Sequence, residues 1–143
     1  MKAIVTGHTR GLGEAIAAEL MARGVPVLGL SRTRAPALAA RFPQLLQQIE
    51  IDLSDSITVG HWLRSGAVQD FFEDSDTVLL VNNAGTVQPV GPLQEQDPLA
   101  VGDAVALNVA APMMLSAGVV AATPKRWRWT PTHRCACAAW PPA

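Results

Sequence analysis

Tyrosine is absent from this chain, so no phenol is available as a proton donor. Cysteine occurs twice, at Cys135 and Cys137. Two thiols so close in sequence exclude a disulfide framework. No single charge dominates: the formal net charge is -1, with 16% charged residues and 49% hydrophobic ones. That balance excludes a polyanion-coating protein and a disordered one, so no nucleic-acid partner is expected. Long uninterrupted apolar runs are also missing. Stretches such as Val105 to Val109 and Val119 to Ala122 stop well short of the roughly 18 residues a membrane span needs, so none is expected. The start, Met1-Lys2, enters an apolar run at once without the zones of a secretion signal, which makes the cytoplasm the expected location.

At 143 residues and 15.1 kDa the chain suits one domain. Its charge is unevenly placed. Residues 1 to 122 hold all 12 acids and 7 of the 11 Lys and Arg, whereas the remainder holds Lys125, Arg126, Arg128 and Arg134 with no acid. The same remainder has three of the four Trp, both Cys, four prolines and no glycine. It lacks a helical or strand period. We therefore expect a domain over 1–122 and an irregular tail, foreign to the fold, over 123–143.

Lys2 to Thr6 is a short apolar run with β-branched residues, ended by Gly7, which fits a buried strand stopped by a tight turn. After Gly13, helix formers run to Ala22 with Gly24 at the capping position. Val25 to Leu30 reads as a second strand. Strand, glycine-rich turn, helix and strand make a right-handed β-α-β unit. The alternation continues with a helix near Ala35 to Arg41, a strand near Gln48 to Ile51 and a helix over Ile57 to Phe72. A strand over Thr77 to Val81 and a last helix from Asp97 to Ser116 follow. This pattern predicts a parallel sheet covered by helices on both faces.

The turn after the first strand reads Thr6-Gly7-His8-Thr9-Arg10-Gly11-Leu12-Gly13. Glycine is required where the chain turns sharply, where backbone approaches a pyrophosphate and where helix packs closely on strand. The helix N-terminus then offers N–H groups to phosphates. An empty glycine-rich turn is the alternative reading.

The spacing Thr-Gly-x-x-x-Gly-x-Gly resembles that of the short-chain dehydrogenase/reductase family. Three further segments resemble it in the same order: Asp52-Leu53 after the third strand, Asn82-Asn83-Ala84-Gly85 after the fourth, and Asn108 in the following helix. The resemblance covers residues 1 to about 120. It implies a Rossmann-type, doubly wound parallel sheet with strand order 3-2-1-4, cut short after the fourth strand. It also implies hydride transfer between a nicotinamide cofactor and a small carbonyl or alcohol substrate. The cofactor-binding residues so implied are Gly7, Thr9, Arg10, Gly11, Leu12, Gly13, Ser31, Arg32, Asp52, Leu53, Asn83, Ala84 and Gly85. Asn108 takes the family's proton-relay position. Related helices form the family's dimer interface, so a homo-oligomer is expected.

Cofactor choice follows from charge. A carboxylate at the end of the second strand accepts from the ribose 2′-OH of NAD and repels a 2′-phosphate. Here that place reads Ser31-Arg32, and Arg10 adds a second guanidinium, so NADP(H) is expected. The alternative is that Arg32, Arg34 and Arg41 form a solvated basic edge.

His8 reads as an incidental turn residue and His61 as an exposed one. The set His133, Cys135 and Cys137 lacks the paired spacing of zinc ligands, and no metal is expected. The family's Tyr, and its Lys four residues later, have no counterpart. The only Lys after Asn82 is Lys125. The tail's composition resembles a frameshifted translation, and we expect a truncation or frameshift near residue 122 and an inactive protein. Asn108 is then idle in catalysis, satisfied within a helix interface. The rival expectations are a nucleotide-binding or regulatory module without chemistry, and a nonfunctional remnant.

Overall fold

The computed structural model describes residues 1–123. The expected tail, with Lys125, His133, Cys135 and Cys137, lies outside the described residues except for Thr123. Four parallel strands form one sheet in the order β3-β2-β1-β4. They are β1 (Lys2–Thr6), β2 (Val27–Ser31), β3 (Leu46–Glu50) and β4 (Val78–Val81). Register is set by pairs such as Val5 with Gly29 and Val5 with Val81. This is the doubly wound α/β architecture that the alternation of elements predicts.

Strand alternation sends side chains to two cores. Ala3 and Val5 of β1 pack with Ala17 and Met21 of α1 (Gly11–Ala22) and Leu38 of α2 (Pro36–Arg41). Ile4 faces the other way, joining Val59 of α3 (Ser56–Arg64), Phe71 and Phe72 of α4 (Ala67–Phe72), and Leu115 and Val119 of α6 (Ala111–Ala122). Both central strands are therefore covered on each face, and full burial of one such aliphatic side chain contributes roughly 1.5–3 kcal/mol.

Two expected helices divide. The helix expected over Ile57 to Phe72 is α3 and α4, because Gly66 takes φ 90° and no right-handed helix passes through it. Asp55 caps α3, accepting from the N–H groups of Ile57 and Thr58 and from the Thr58 hydroxyl. These bonds, the Thr58 hydroxyl foremost, hold its carboxyl below the usual carboxylate range.

The helix expected from Asp97 to Ser116 is α5 (Pro98–Val105), a π turn (Ala106–Ala110) and α6, which ends at Ala122. Pro112 explains the π turn. It has no N–H for the Asn108 carbonyl and its ring crowds that oxygen, so the helix widens one turn earlier. Counting apolar runs also understated this element. Pro98–Ala122 is long and apolar enough to cross a membrane by length and composition. Here Ala111, Leu115 and Val119, spaced by one helical turn, are buried against the sheet's helix layer. Gly118 of α6 leaves room for Leu63, which would lie 2.5 Å from a Cβ there.

Candidate functional site

Parallel strands present their C-terminal ends on one side, and ligand crevices in such sheets form outside those ends. A cleft of about 770 Å³ lies there. Its walls come from the β1–α1 turn, the ends of β2 and β3, the segment after β4, and α5 with the π turn.

The floor is built by side chains reaching from one strand end to another. Thr6, 2% exposed, donates its hydroxyl to the Val81 carbonyl and accepts from the backbone N–H groups of Asn83 and Ala84, both at 2.9 Å. In return the Asn83 amide donates to the Thr6 and Gly7 carbonyls at 2.9 and 3.3 Å. The Thr-Gly and Asn-Asn-Ala-Gly segments are thus one hydrogen-bonded unit. The role of the Thr6 hydroxyl escaped the sequence reading, although Thr opens the glycine motif.

Within that unit the three glycines differ in function. Gly7 has φ +68° and its Cβ position is crowded by Asn83 and Ala84. Gly11 also has positive φ, +58°, but opens onto free space. Gly13 lies under the turn, where a Cβ would meet the Gly7 carbonyl oxygen at 2.2 Å. Among the expected site residues, Gly7, Thr9, Arg10, Ser31, Arg32, Asp52, Leu53, Asn83, Ala84 and Gly85 line the cleft. Gly11, Leu12 and Gly13 do not; they form the first turn of α1 beside it, with Leu12 70% exposed.

That first turn has no side-chain cap, because its N-cap residue is Arg10, which has no acceptor. An uncapped helix N-terminus at a cleft wall, reached over glycine backbone, is chemically an anion site. The cations are also sorted. Arg34 pairs with Glu50 at 2.6 Å and Arg41 lies over the Phe42 ring at 4.9 Å. Arg10 and Arg32 line the cleft and have no carboxylate partner among the described residues. The basic edge is therefore divided, and two guanidiniums remain for the cleft.

At the end of β3, the Asp52 carboxylate accepts from the Ser54 N–H and hydroxyl, at 2.9 and 2.8 Å. The Leu53 side chain is 4% exposed and belongs to the core. Asn108 lies across the cleft. Its Oδ1 accepts from the Thr86 N–H at 2.9 Å and its Nδ2 donates to the Thr86 carbonyl at 2.7 Å. The widened π turn thus pins the segment after β4, and Asn108 lines a smaller adjoining cavity of about 370 Å³. Its amide is satisfied by the backbone of that segment and not within the helix interface that the sequence led us to expect.

His8 corrects the sequence reading: its ring is fully buried, with Nε2 at 2.9 Å from the Gln48 Oε1. His61 is exposed as expected. No group of three or more metal-ligating side chains occurs among the described residues.

Comparison with known proteins gives concordant matches. The family model for short chain dehydrogenases matches residues 1–127, five residues past the boundary we expected. The benzil reductase ((S)-benzoin forming) of Bacillus cereus is 30% identical over 129 residues, which are 87% of this chain and 51% of that protein. A short-chain dehydrogenase/reductase from Burkholderia vietnamiensis superposes with TM-score 0.85 at 53% identity, covering 87% of this chain and 57% of that one. A metagenomic short-chain oxidoreductase in complex with NADP gives TM-score 0.74 at 28% identity, covering 85% and 56%. This chain spans about half the length of the curated relatives it matches.

Proposed function

The chain belongs to the short-chain dehydrogenase family, and from that premise we propose that its cleft binds NADP(H). The observation that carries the proposal is the pair Arg10 and Arg32, lining the cleft without carboxylate partners among the described residues. Arg34, the other guanidinium of that turn, is taken by Glu50. A bidentate guanidinium matches a 2′-phosphate, and no acid follows β2 to repel it. The uncapped first turn of α1 and Gly7 would hold the pyrophosphate. Asp52, Leu53, Ala84 and Gly85 would flank the adenosine side.

When bound, such a cofactor supplies or accepts a hydride; the ancestral reaction we assign is interconversion of a small carbonyl and its alcohol. In the present chain we place no proton donor at the cleft, since tyrosine is absent. We therefore read the 143-residue chain as binding cofactor without turning over substrate, in the cytoplasm and without a nucleic-acid partner. On this reading residues 1–122 form the binding domain, with 123–143 an appended segment.

Calorimetry tests the cofactor assignment. Wild type should bind NADPH more tightly than NADH, and Arg32→Asp should lower NADPH affinity about tenfold or more, the scale of a lost charge-assisted bond plus repulsion. Equal or tighter binding of NADH by the wild type sinks it.

We also infer self-association. Val105, Val109 and Met113 are 55%, 51% and 68% exposed and recur every helical turn through α5, the π turn and α6. A contiguous apolar stripe of this kind favours a self-complementary contact. Light scattering should show dimers or larger species at high concentration. A clean monomer there contradicts the inference.

A further inference from the structure

The ring of His8 lies beneath β2, and only glycine at position 29 admits it. A Cβ on Gly29 would stand 2.4 Å from the His8 Cγ and Nδ1. The ring's Nε2 meets the Oε1 of Gln48 in β3, 2.9 Å away. That same oxygen accepts from the backbone N–H of Ala35 at 2.7 Å. An oxygen that accepts from an amide can only accept from the imidazole as well, so Nε2 is the donor in this contact. Nδ1 is buried and has no partner among the described residues.

That orphan nitrogen separates packing from function. For packing alone, an apolar ring of similar size would fill the space without leaving a polar atom unpaired. What imidazole adds is the Nε2 donor, which orients Gln48. Gln48 in turn fixes Ala35, which is 8% exposed and closes the turn after β2. The other end of that turn, Ser31, is held by the Ile51 N–H donating to its carbonyl at 2.8 Å. Between the two anchors stand Arg32 and Arg34, and Arg34 is tied to Glu50. Arg32 is the guanidinium that this frame presents to the cleft.

We propose that His8 and Gln48 are positioning residues for cofactor specificity: through the Ala35 N–H they set the turn that aims Arg32 at a 2′-phosphate. This assignment rests on the NADP(H) reading. It links the glycine-rich turn to the specificity turn by two hydrogen bonds on one amide oxygen.

The probes are adenosine 2′,5′-bisphosphate and 5′-AMP, which differ only in the 2′-phosphate and do not depend on a nicotinamide site. His8→Phe keeps a planar aromatic ring and removes the donor; Gln48→Met keeps the length and removes the acceptor. In both variants the bisphosphate should bind about three- to tenfold more weakly, the scale of one hydrogen-bonded contact, while 5′-AMP binding stays within about twofold. His8→Phe should melt at or above the wild-type temperature. Amide exchange at Ala35 should accelerate in both. Parallel loss of both ligands would mean a merely structural role and overturns the assignment. A wild-type preference for the bisphosphate that survives in both variants overturns it alone. A wild type without that preference overturns the NADP(H) reading and this assignment with it.

Discussion

Replacing Gly13 with alanine is expected to abolish dinucleotide binding and to destabilise the domain, a larger effect than any other single methyl group added to the glycine turn. The added carbon would sit 2.2 Å from the Gly7 carbonyl oxygen, 2.4 Å from the Asn83 Nδ2 and 2.9 Å from the Gly7 carbonyl carbon. Two of these three atoms are backbone, and the third is held by the carbonyls of Thr6 and Gly7. Neither group yields by rotating a flexible side chain. The start of α1 must move away from the turn, and overpacking of this kind costs about 1–3 kcal/mol or more. The Thr6–Asn83 unit, which shapes the cleft floor, is lost with that movement.

Gly11→Ala separates collision from conformational strain. Its Cβ would meet nothing within 4 Å, and its φ of +58° alone makes the substitution unfavourable, by roughly 1–2 kcal/mol. Gly102→Ala in α5 meets nothing and carries no positive φ, so it should be neutral or stabilising by roughly 0.5–1 kcal/mol. Urea unfolding and NADPH calorimetry on the three variants should rank them Gly13, Gly11, Gly102 from most to least damaging. NADPH binding by Gly13→Ala within about threefold of wild type, about 0.6 kcal/mol, would refute the packing argument.

β1, β2 and β4 were legible because each is a short apolar run bounded by a turn residue, whereas β3 carries Gln47, Gln48 and Glu50 and begins at Leu46, two residues before the strand expected near Gln48 to Ile51. Strand order came with the family resemblance, and the right-handed β-α-β unit marked by the glycine turn agrees with it. Helix interiors were less legible. Gly66 breaks α3 from α4 only because it takes positive φ, and a glycine inside a helical pattern need not do so. Pro112 stood in plain view, but whether it kinks a helix or widens it into a π turn depends on what accepts the displaced backbone groups. At the site, residue types that bind through backbone were easy to find, and residues that work through tertiary contacts were not. Thr6, His8 and Gly29 illustrate the difference: the burial of His8 depends on a missing side chain in another strand. The sequence named Gly13 for the cofactor, and its position also makes it the point where helix meets turn. Arg34 looked equivalent to Arg32 until Glu50 was found beside it.

The second large effect concerns catalysis. The purified 143-residue chain is expected to reduce no aldehyde, ketone or diketone above background, even with saturating NADPH. A positioned general acid typically contributes a factor of ~10² to 10⁴, and groups that act as a unit are not lost as independent increments. Here the phenol is absent from the whole sequence, and the only lysine after the Asn82 to Gly85 segment is Lys125. Side chains that do line the cleft offer little in its place. Asp52 is engaged by Ser54, and Asp103 belongs to α5 on the opposite wall. Thr9, Ser31, Thr33 and Thr86 contribute hydroxyls, but a hydroxyl without an adjacent base or ammonium is a poor donor at neutral pH. Asn108 spends both ends of its amide on Thr86, and a carboxamide is not an acid at neutral pH. The measurement is NADPH oxidation followed by loss of its absorbance, with Gly11→Asp as the contaminant control. That substitution places a carboxylate at the first turn of α1, where the pyrophosphate would rest, so genuine turnover should vanish with it. Turnover that the control abolishes would disprove inactivity, and would require an acid supplied from Lys125 or His133, or from a second chain docked on the cleft.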